Sequence, residues 1–201
     1  MEATRRTQAE RAAGTREALI AAARPLFAAH GFTEAALETI VRAAGVTRGA
    51  LYHHFADKTE LFAAVFEQVE GEVAVRMAES IAASGQTDPV EVMQLGADFW
   101  LDASSDPEVQ RIALVDAPAV LGWTRWTAIG NRYNIGMVRA LLTTAVETGR
   151  IPPQPIEATA LTILGAMREV TLYVARAEDH DQARDEAGAV VNRLIRSLSV
   201  D

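Results

Sequence analysis

Residues 45–55 read GVTRGALYHHF, and they place an arginine, a tyrosine, a threonine and two adjacent histidines within eleven positions. Two chemistries compete for such a stretch: a metal or catalytic site, or a surface built to lie against a partner. Side chains at successive helical positions point about 100° apart, so His53 and His54 do not chelate one ion together. No HExxH pair or acidic partner accompanies them, and no metal is expected. As a surface the same residues suit a DNA duplex. Thr47 and the free N–H groups of a helix start can hold a phosphate. Arg48 can reach O6 and N7 of a guanine, and the Ala50 methyl can touch that of a thymine. Gly49 and Ala50 let a helix approach the groove closely. Tyr52, His53 and Lys58 can each donate to phosphate, and His54 is expected to pack inward.

The elements that must carry these residues read as helices almost throughout. Leu19, Ile20, Ala23, Leu26, Phe27 and His30 recur at three- and four-residue steps before Gly31, with Pro25 expected to bend that rod. Leu37, Ile40, Val41 and Ala44 make a short second helix ended by Gly45. Thr47 caps a third, to about His54, with Val46, Leu51 and Phe55 turned inward. Two short helices joined by a tight glycine turn have helix-turn-helix proportions. Asp57 caps a long helix, Lys58 to about Ala83. Further helices follow at about 89–103, just after Asp106, 123–148, 156–177 and 181–199, with breaks at Pro118, Gly122 and the PPQP of 152–155. The expected fold class is all-α with about nine helices and no strand. The expected units are an N-terminal three-helix head, residues 1–56, and a helical body, residues 57–201.

The 201 residues suffice for one sizeable core. The absence of cysteine excludes disulfides and thiolate metal sites. The N-terminus has no apolar core like that of a secretory signal, and no run approaches the roughly 18 apolar residues of a membrane span. A cytoplasmic location without membrane association is expected. The net charge of −8 is uneven: residues 1–60 carry eight basic and seven acidic side chains, and residues 61–201 carry eleven and twenty. An acidic body is repelled by nucleic acid, so only the N-terminal end can approach a phosphate backbone.

GFTEAALETIVRAAGVTRGALYHHFADKTEL resembles the N-terminal DNA-binding domain of the TetR family of transcriptional regulators, over about residues 15–62. The resemblance implies a recognition helix at Thr47–His53 and a phosphate contact at Lys58. It also implies an all-helical body that binds a small effector and dimerises. The DNA-facing set is then Thr39, Thr47, Arg48, Gly49, Ala50, Tyr52, His53 and Lys58. The sequence departs from the family pattern at Pro25, at Val41 in place of alanine, and at Ala36 in place of a capping Thr or Ser. Thr33 or Glu34 is a partial substitute for that cap.

In the body, Trp123, Trp126, Gly130, Tyr133 and Met137 share one helical face, and Met93, Ala97 and Trp100 form a possible facing stripe. Spacing alone allows either core or pocket; the resemblance points to a pocket, with Tyr173 added to its lining. Such walls suit a flat apolar or aromatic ligand, or a cation if Asp98, Asp102 or Asp116 faces them. Arg125, Arg132 and Arg139 repeat every seven residues and are expected to be solvated or ion-paired. The turn holding Glu178, Asp179, His180 and Asp181 reads as solvated. The resemblance implies a four-helix dimer interface from the last two helices, taken here as Leu161, Gly165, Val190, Val191, Leu194, Ile195 and Leu198.

The function expected from all this is a dimeric repressor on a palindromic operator, released by a small ligand. The alternatives are a ligand-activated regulator without repressor action, or a helical interaction module. No GxSxG, GxGxxG, P-loop or cysteine nucleophile is present, so neither an enzyme nor a cofactor is expected.

Overall fold

The computed structural model describes residues 8–199; residues 1–7 and 200–201, the outer ends of the two expected units, lie outside the described residues. Among the described residues the chain is helical and contains no strand. Helix α1 spans Gln8–Glu34, α2 Leu37–Ala43, α3 Arg48–His54 and α4 Lys58–Ser84. Helix α5 spans Pro89–Ser104, and the single turn α6, Pro107–Val109, runs into a π-helical turn at Gln110–Asp116. Helix α7 spans Ala117–Glu147, α8 Ile156–Arg176 and α9 His180–Arg196.

The ends follow local chemistry. Asp57 accepts from Glu60 N at 2.9 Å, and Asp88 and Asp106 cap α5 and α6 ahead of a proline in the first turn. Ala36 makes no side-chain cap, and neither Thr33 nor Glu34 supplies one. Pro25 keeps helical dihedrals inside α1, and the helix breaks at Gly31, where φ is 74° and ψ 172°. Glycine adopts that backbone without the Cβ clash that any other residue would meet. Gly122, φ 72°, divides α7 in the same way, just where the sequence pattern breaks.

Phe27 and Phe62 meet edge to face at 5.1 Å, with Phe32 against Phe62 at 5.4 Å. Leu19, Ile40, Leu51 and Phe55 close around them, so α2 and α3 are seated on α1 and α4 by fully buried side chains. Each such burial contributes about 1.5–3 kcal/mol. This core runs unbroken past residue 56, through Val65, Phe66 and Val69 of α4 to Ile112, Ala117 and Trp126. A second core joins α5, α7, α8 and α9 through Leu101, Leu142, Ala160, Met167, Val191 and Ile195.

Arg125, Arg132 and Arg139 are ion-paired, with Glu60, Glu67 and Glu157 respectively. Asp179 caps α9 and His180 Nδ1 lies 2.9 Å from the Val174 carbonyl, so the acidic turn is structural. Among the described residues no cluster of three His, Cys, Asp or Glu side chains is arranged to hold a metal. One described helix, α8, is long and apolar enough to cross a membrane by length and composition.

Candidate nucleic-acid interface and effector cavity

α3 presents its face because its other side is anchored. Leu51 is fully buried, Phe55 is nearly so, and Gly45 turns the chain at φ 66°. Thr47 Oγ1 accepts from Ala50 N at 3.2 Å and fixes the helix start. Thr39, Arg48, Gly49, Tyr52 and His53 are exposed, Ala50 is half-buried, and a Cβ on Gly49 would meet nothing nearer than Thr47 Oγ1 at 3.9 Å. Arg48 Nη1 pairs with Glu38 Oε1 at 2.9 Å and its guanidinium lies over the Tyr52 ring. Both groups raise the Arg48 pKa, Tyr52 more than Glu38, so the charge is held.

Two residues in and beside the head sit differently from expectation. Lys58 is not offered freely: Nζ donates to the Thr33 carbonyl at 3.2 Å and lies 4.6 Å from the Phe32 ring centre, and burial lowers its pKa. His54 is half-buried rather than in the core, its ring edge-on to His53 at 5.2 Å.

Between α4, α5, α7 and α8 lies a cavity of about 110 Å³. Its walls include the expected Met93, Trp100, Trp126 and Met137. Both indole N–H groups are used inside the protein: Trp100 Nε1 donates to Thr171 Oγ1 at 3.1 Å and Trp126 Nε1 to the Ala113 carbonyl at 2.9 Å. Neither indole therefore has an N–H left to offer the cavity.

The remaining expected lining residues are elsewhere. Trp123 is 58% exposed, because it follows the Gly122 break and swings out to meet Trp126 edge-on. Tyr133 turns to α4, where a Cβ on Gly71 would stand 3.3 Å from its ring. Tyr173 is 51% exposed and bonds Glu186. Asp98, Asp102 and Asp116 do not face the cavity either; they are held by Asn192, Arg184 and the Phe32 N–H. α7 turns a different stripe inward, Thr127, Asn131, Asn134, Val138 and Leu141. Its two asparagines, Asn131 and Asn134, interrupt any apolar spacing along it.

The acid on the wall is Glu70, which the sequence reading passed over. It is 4% exposed, and its Oε2 has no hydrogen-bond partner. Burial pushes its pKa up to about 7. Its signal was legible: a glutamate in the run Phe66, Val69, Val73, Met77, all of them buried. Arg168 joins the wall, stacked on the rings of Trp123 and Trp126 at 5.3 and 5.7 Å, and desolvation lowers its pKa.

Against known families, residues 90–198, more than half of the chain, match the model described as "Tetracyclin repressor-like, C-terminal domain". Residues 19–65 match "Bacterial regulatory proteins, tetR family". The chain belongs to the TetR family. It is 35% identical to the HTH-type transcriptional regulator CymR of Pseudomonas putida over 136 residues, 66% of this chain and 67% of that protein. A crystal structure of a TetR-family transcriptional regulator from Pectobacterium atrosepticum shares the fold at TM-score 0.84 and 32% identity, over 98% of this chain and 99% of that one. RolR, solved in complex with resorcinol, matches at TM-score 0.76 and 20% identity over 95% of each chain, a likeness of fold alone.

The protein is thus a DNA-binding transcriptional regulator of the TetR family. For such a regulator the outer faces of α8 and α9 matter as well. Leu161, Val190 and Leu194 are exposed apolar side chains, and Gly165 and Leu198 are half-buried. Val191 and Ile195 do not belong with them: they are 3% and 1% exposed, and Ile195 reaches the cavity wall. They lie on the side of α9 that packs on α5, where Asn192 and Arg184 also bond Asp98 and Asp102.

Proposed function

We propose that the protein is a repressor that binds a palindromic operator as a homodimer and is released by a small apolar or aromatic effector held in the cavity. The head, residues 1–56, reads DNA; the body, residues 57–201, binds effector and pairs with its copy. The observation that carries this reading is the α3 face. Arg48, Tyr52 and His53 stand exposed beside Gly49 and Ala50, on a helix held rigid by Leu51 and Phe55. One such helix spans only a few base pairs, so a two-fold pair about 34–36 Å apart is needed to read two half-sites. The apolar residues left uncovered on α8 and α9 supply the surface for that pairing, and α8 needs no membrane to account for its apolar side. Effector binding changes the spacing of the two heads, at a coupling of about 1–3 kcal/mol.

The test is fluorescence anisotropy on the DNA beside the protein's own gene, with shuffled DNA as competitor and a salt series. Binding that survives competitor, weakens with salt and vanishes in Arg48→Ala supports the reading. Equal, weak binding to both DNAs, repeated across genome-wide selected fragments, removes it.

A further inference from the structure

The polar groups around the cavity are nearly all used within the protein. Asn134 Nδ2 donates to the Gly130 carbonyl at 3.0 Å, Thr127 Oγ1 to that of Thr124 at 3.2 Å, and Thr171 Oγ1 to that of Met167 at 2.7 Å. With both indole N–H groups also engaged, Glu70 Oε2 is the cavity's fully buried polar atom with nothing to bond. A buried acceptor left unmet costs about 1–3 kcal/mol. A ligand that meets it recovers that cost.

We infer that Glu70 is a ligand-recognition residue, and that the cavity takes a single-ring compound carrying an uncharged hydroxyl, of the phenol class, whose O–H donates to Glu70 Oε2. The inference rests on the reading of this cavity as the effector site. Size sets the ring count: an apolar cavity of about 150 Å³ holds one benzene, and this one is about 110 Å³. Aromaticity comes from the indoles of Trp100 and Trp126 and the methionines that line the cavity with them. Charge selects hydroxyl over ammonium. Arg168 lines the same cavity, and Glu70 is the one acid on its described wall, so a cationic ligand meets one attractive and one repulsive charge. A neutral donor needs the acceptor alone. Arg168 is itself stacked on two indoles and half-buried, so its demand for a partner is smaller.

The titratable and charged groups near Glu70 are few. Tyr133 of α7 feels its charge, and Arg168 of α8 shares its cavity. α5 and the π turn present Val92, Met93, Gly96, Ala97, Trp100 and Leu114, all uncharged. A hydrogen bond to a carboxylate is stronger than one to a carboxylic acid, so phenol binding strengthens as Glu70 loses its proton.

The experiment is calorimetric titration of the full-length protein, wild type and Glu70→Gln, with phenol, toluene, benzylamine and benzoate at about pH 6 and about pH 8. The wild type is expected to prefer phenol to toluene and to bind it severalfold more tightly at the higher pH. Glu70→Gln is expected to weaken phenol by about tenfold, to abolish its pH dependence and to leave toluene unchanged. Toluene binding as tight as phenol leaves the cavity reading standing and overturns the role of Glu70. So does benzoate binding tightest and unaffected by Glu70→Gln, which makes Arg168 the reader, or benzylamine binding tightest, which makes a cation site. Failure of all four ligands to bind removes the effector cavity itself.

Discussion

The backbone N–H of Phe32 donates to Asp116 Oδ2 at 2.7 Å, tying the end of α1 to the end of the π turn. The same turn offers its Ala113 carbonyl to Trp126 and its Leu114 side chain to the cavity. Arg111 completes the joint: its Nε lies 3.3 Å from Asp116, and its guanidinium lies against Gly31 where α1 breaks. One seven-residue turn thus touches the cavity on one side and the DNA-reading head on the other. Asp116→Ala should cost about 1–3 kcal/mol of stability, read by urea unfolding, because the Phe32 N–H loses its acceptor. Asp116→Asn, which keeps an oxygen there, should recover most of it. If the turn couples the sites, Asp116→Ala should also shrink the effector's influence on operator affinity while leaving each ligand able to bind alone. An undiminished influence places the coupling elsewhere.

If Arg48 reads DNA as proposed, Glu38 competes with the DNA for it. Their ion pair is exposed on both sides, so solvent screens it and opening it costs little. Its carboxylate also repels an approaching phosphate backbone. Glu38→Gln should therefore tighten operator binding by about three- to tenfold at low salt. The gain should narrow as salt rises. Looser binding in Glu38→Gln means that the carboxylate positions Arg48 for the base instead.

Glu70 makes stability depend on pH with a definite sign. Its folded pKa is about 7, above the ordinary value of 4.5. Below the ordinary value both folded and unfolded chains hold the proton, and nothing is lost. Between the two values the folded chain holds a proton that the unfolded chain has released, so rising pH favours unfolding. The penalty is complete above about pH 7, on the order of 3 kcal/mol. Unfolding by urea at about pH 5 and about pH 8 should show the difference, and Glu70→Gln should remove its own share of it. An unchanged pH profile in that variant means that the carboxyl is relieved by solvent.

The helices and the exposed face of α3 were legible in the sequence because both rest on short-range patterns. Glycine stops, Asp and Thr caps and the Leu51–Phe55 anchors act within a turn or two of chain. The cavity was half legible. Met93, Trp100, Trp126 and Met137 reach it, but the break at Gly122 carries Trp123 out to solvent, and Tyr133 finds the side-chain-free space at Gly71. Those outcomes depend on contacts between distant segments, which no periodicity encodes. On α9 the same limit holds: Val190 and Leu194 are exposed as the expected pairing surface requires, but Val191 and Ile195 are buried in their own chain. An amphipathic stripe on α9 says which residues are apolar, and it does not say which of two apolar edges is already covered by α5.

That last distinction yields a paired prediction. Val190 and Leu194 are 58% and 40% exposed, and Leu161 on α8 is 45% exposed, whereas Val191 is buried against its own chain. Only about a third of the most apolar window of α8 is buried within the chain. A charge at Leu194 faces water in a lone chain and an apolar partner in a dimer. Leu194→Glu should therefore leave the helical content of the chain nearly unchanged while halving the mass seen by sedimentation. Operator affinity should fall with it, since one recognition helix reads only one half-site. Val191→Ala should do the opposite, preserving assembly while lowering stability by roughly 1–3 kcal/mol through the cavity it leaves. A Leu194→Glu protein that sediments as the wild type does moves the pairing surface away from this edge of α9, and Val191→Ala then serves as the control for the packing of α9 on its own chain.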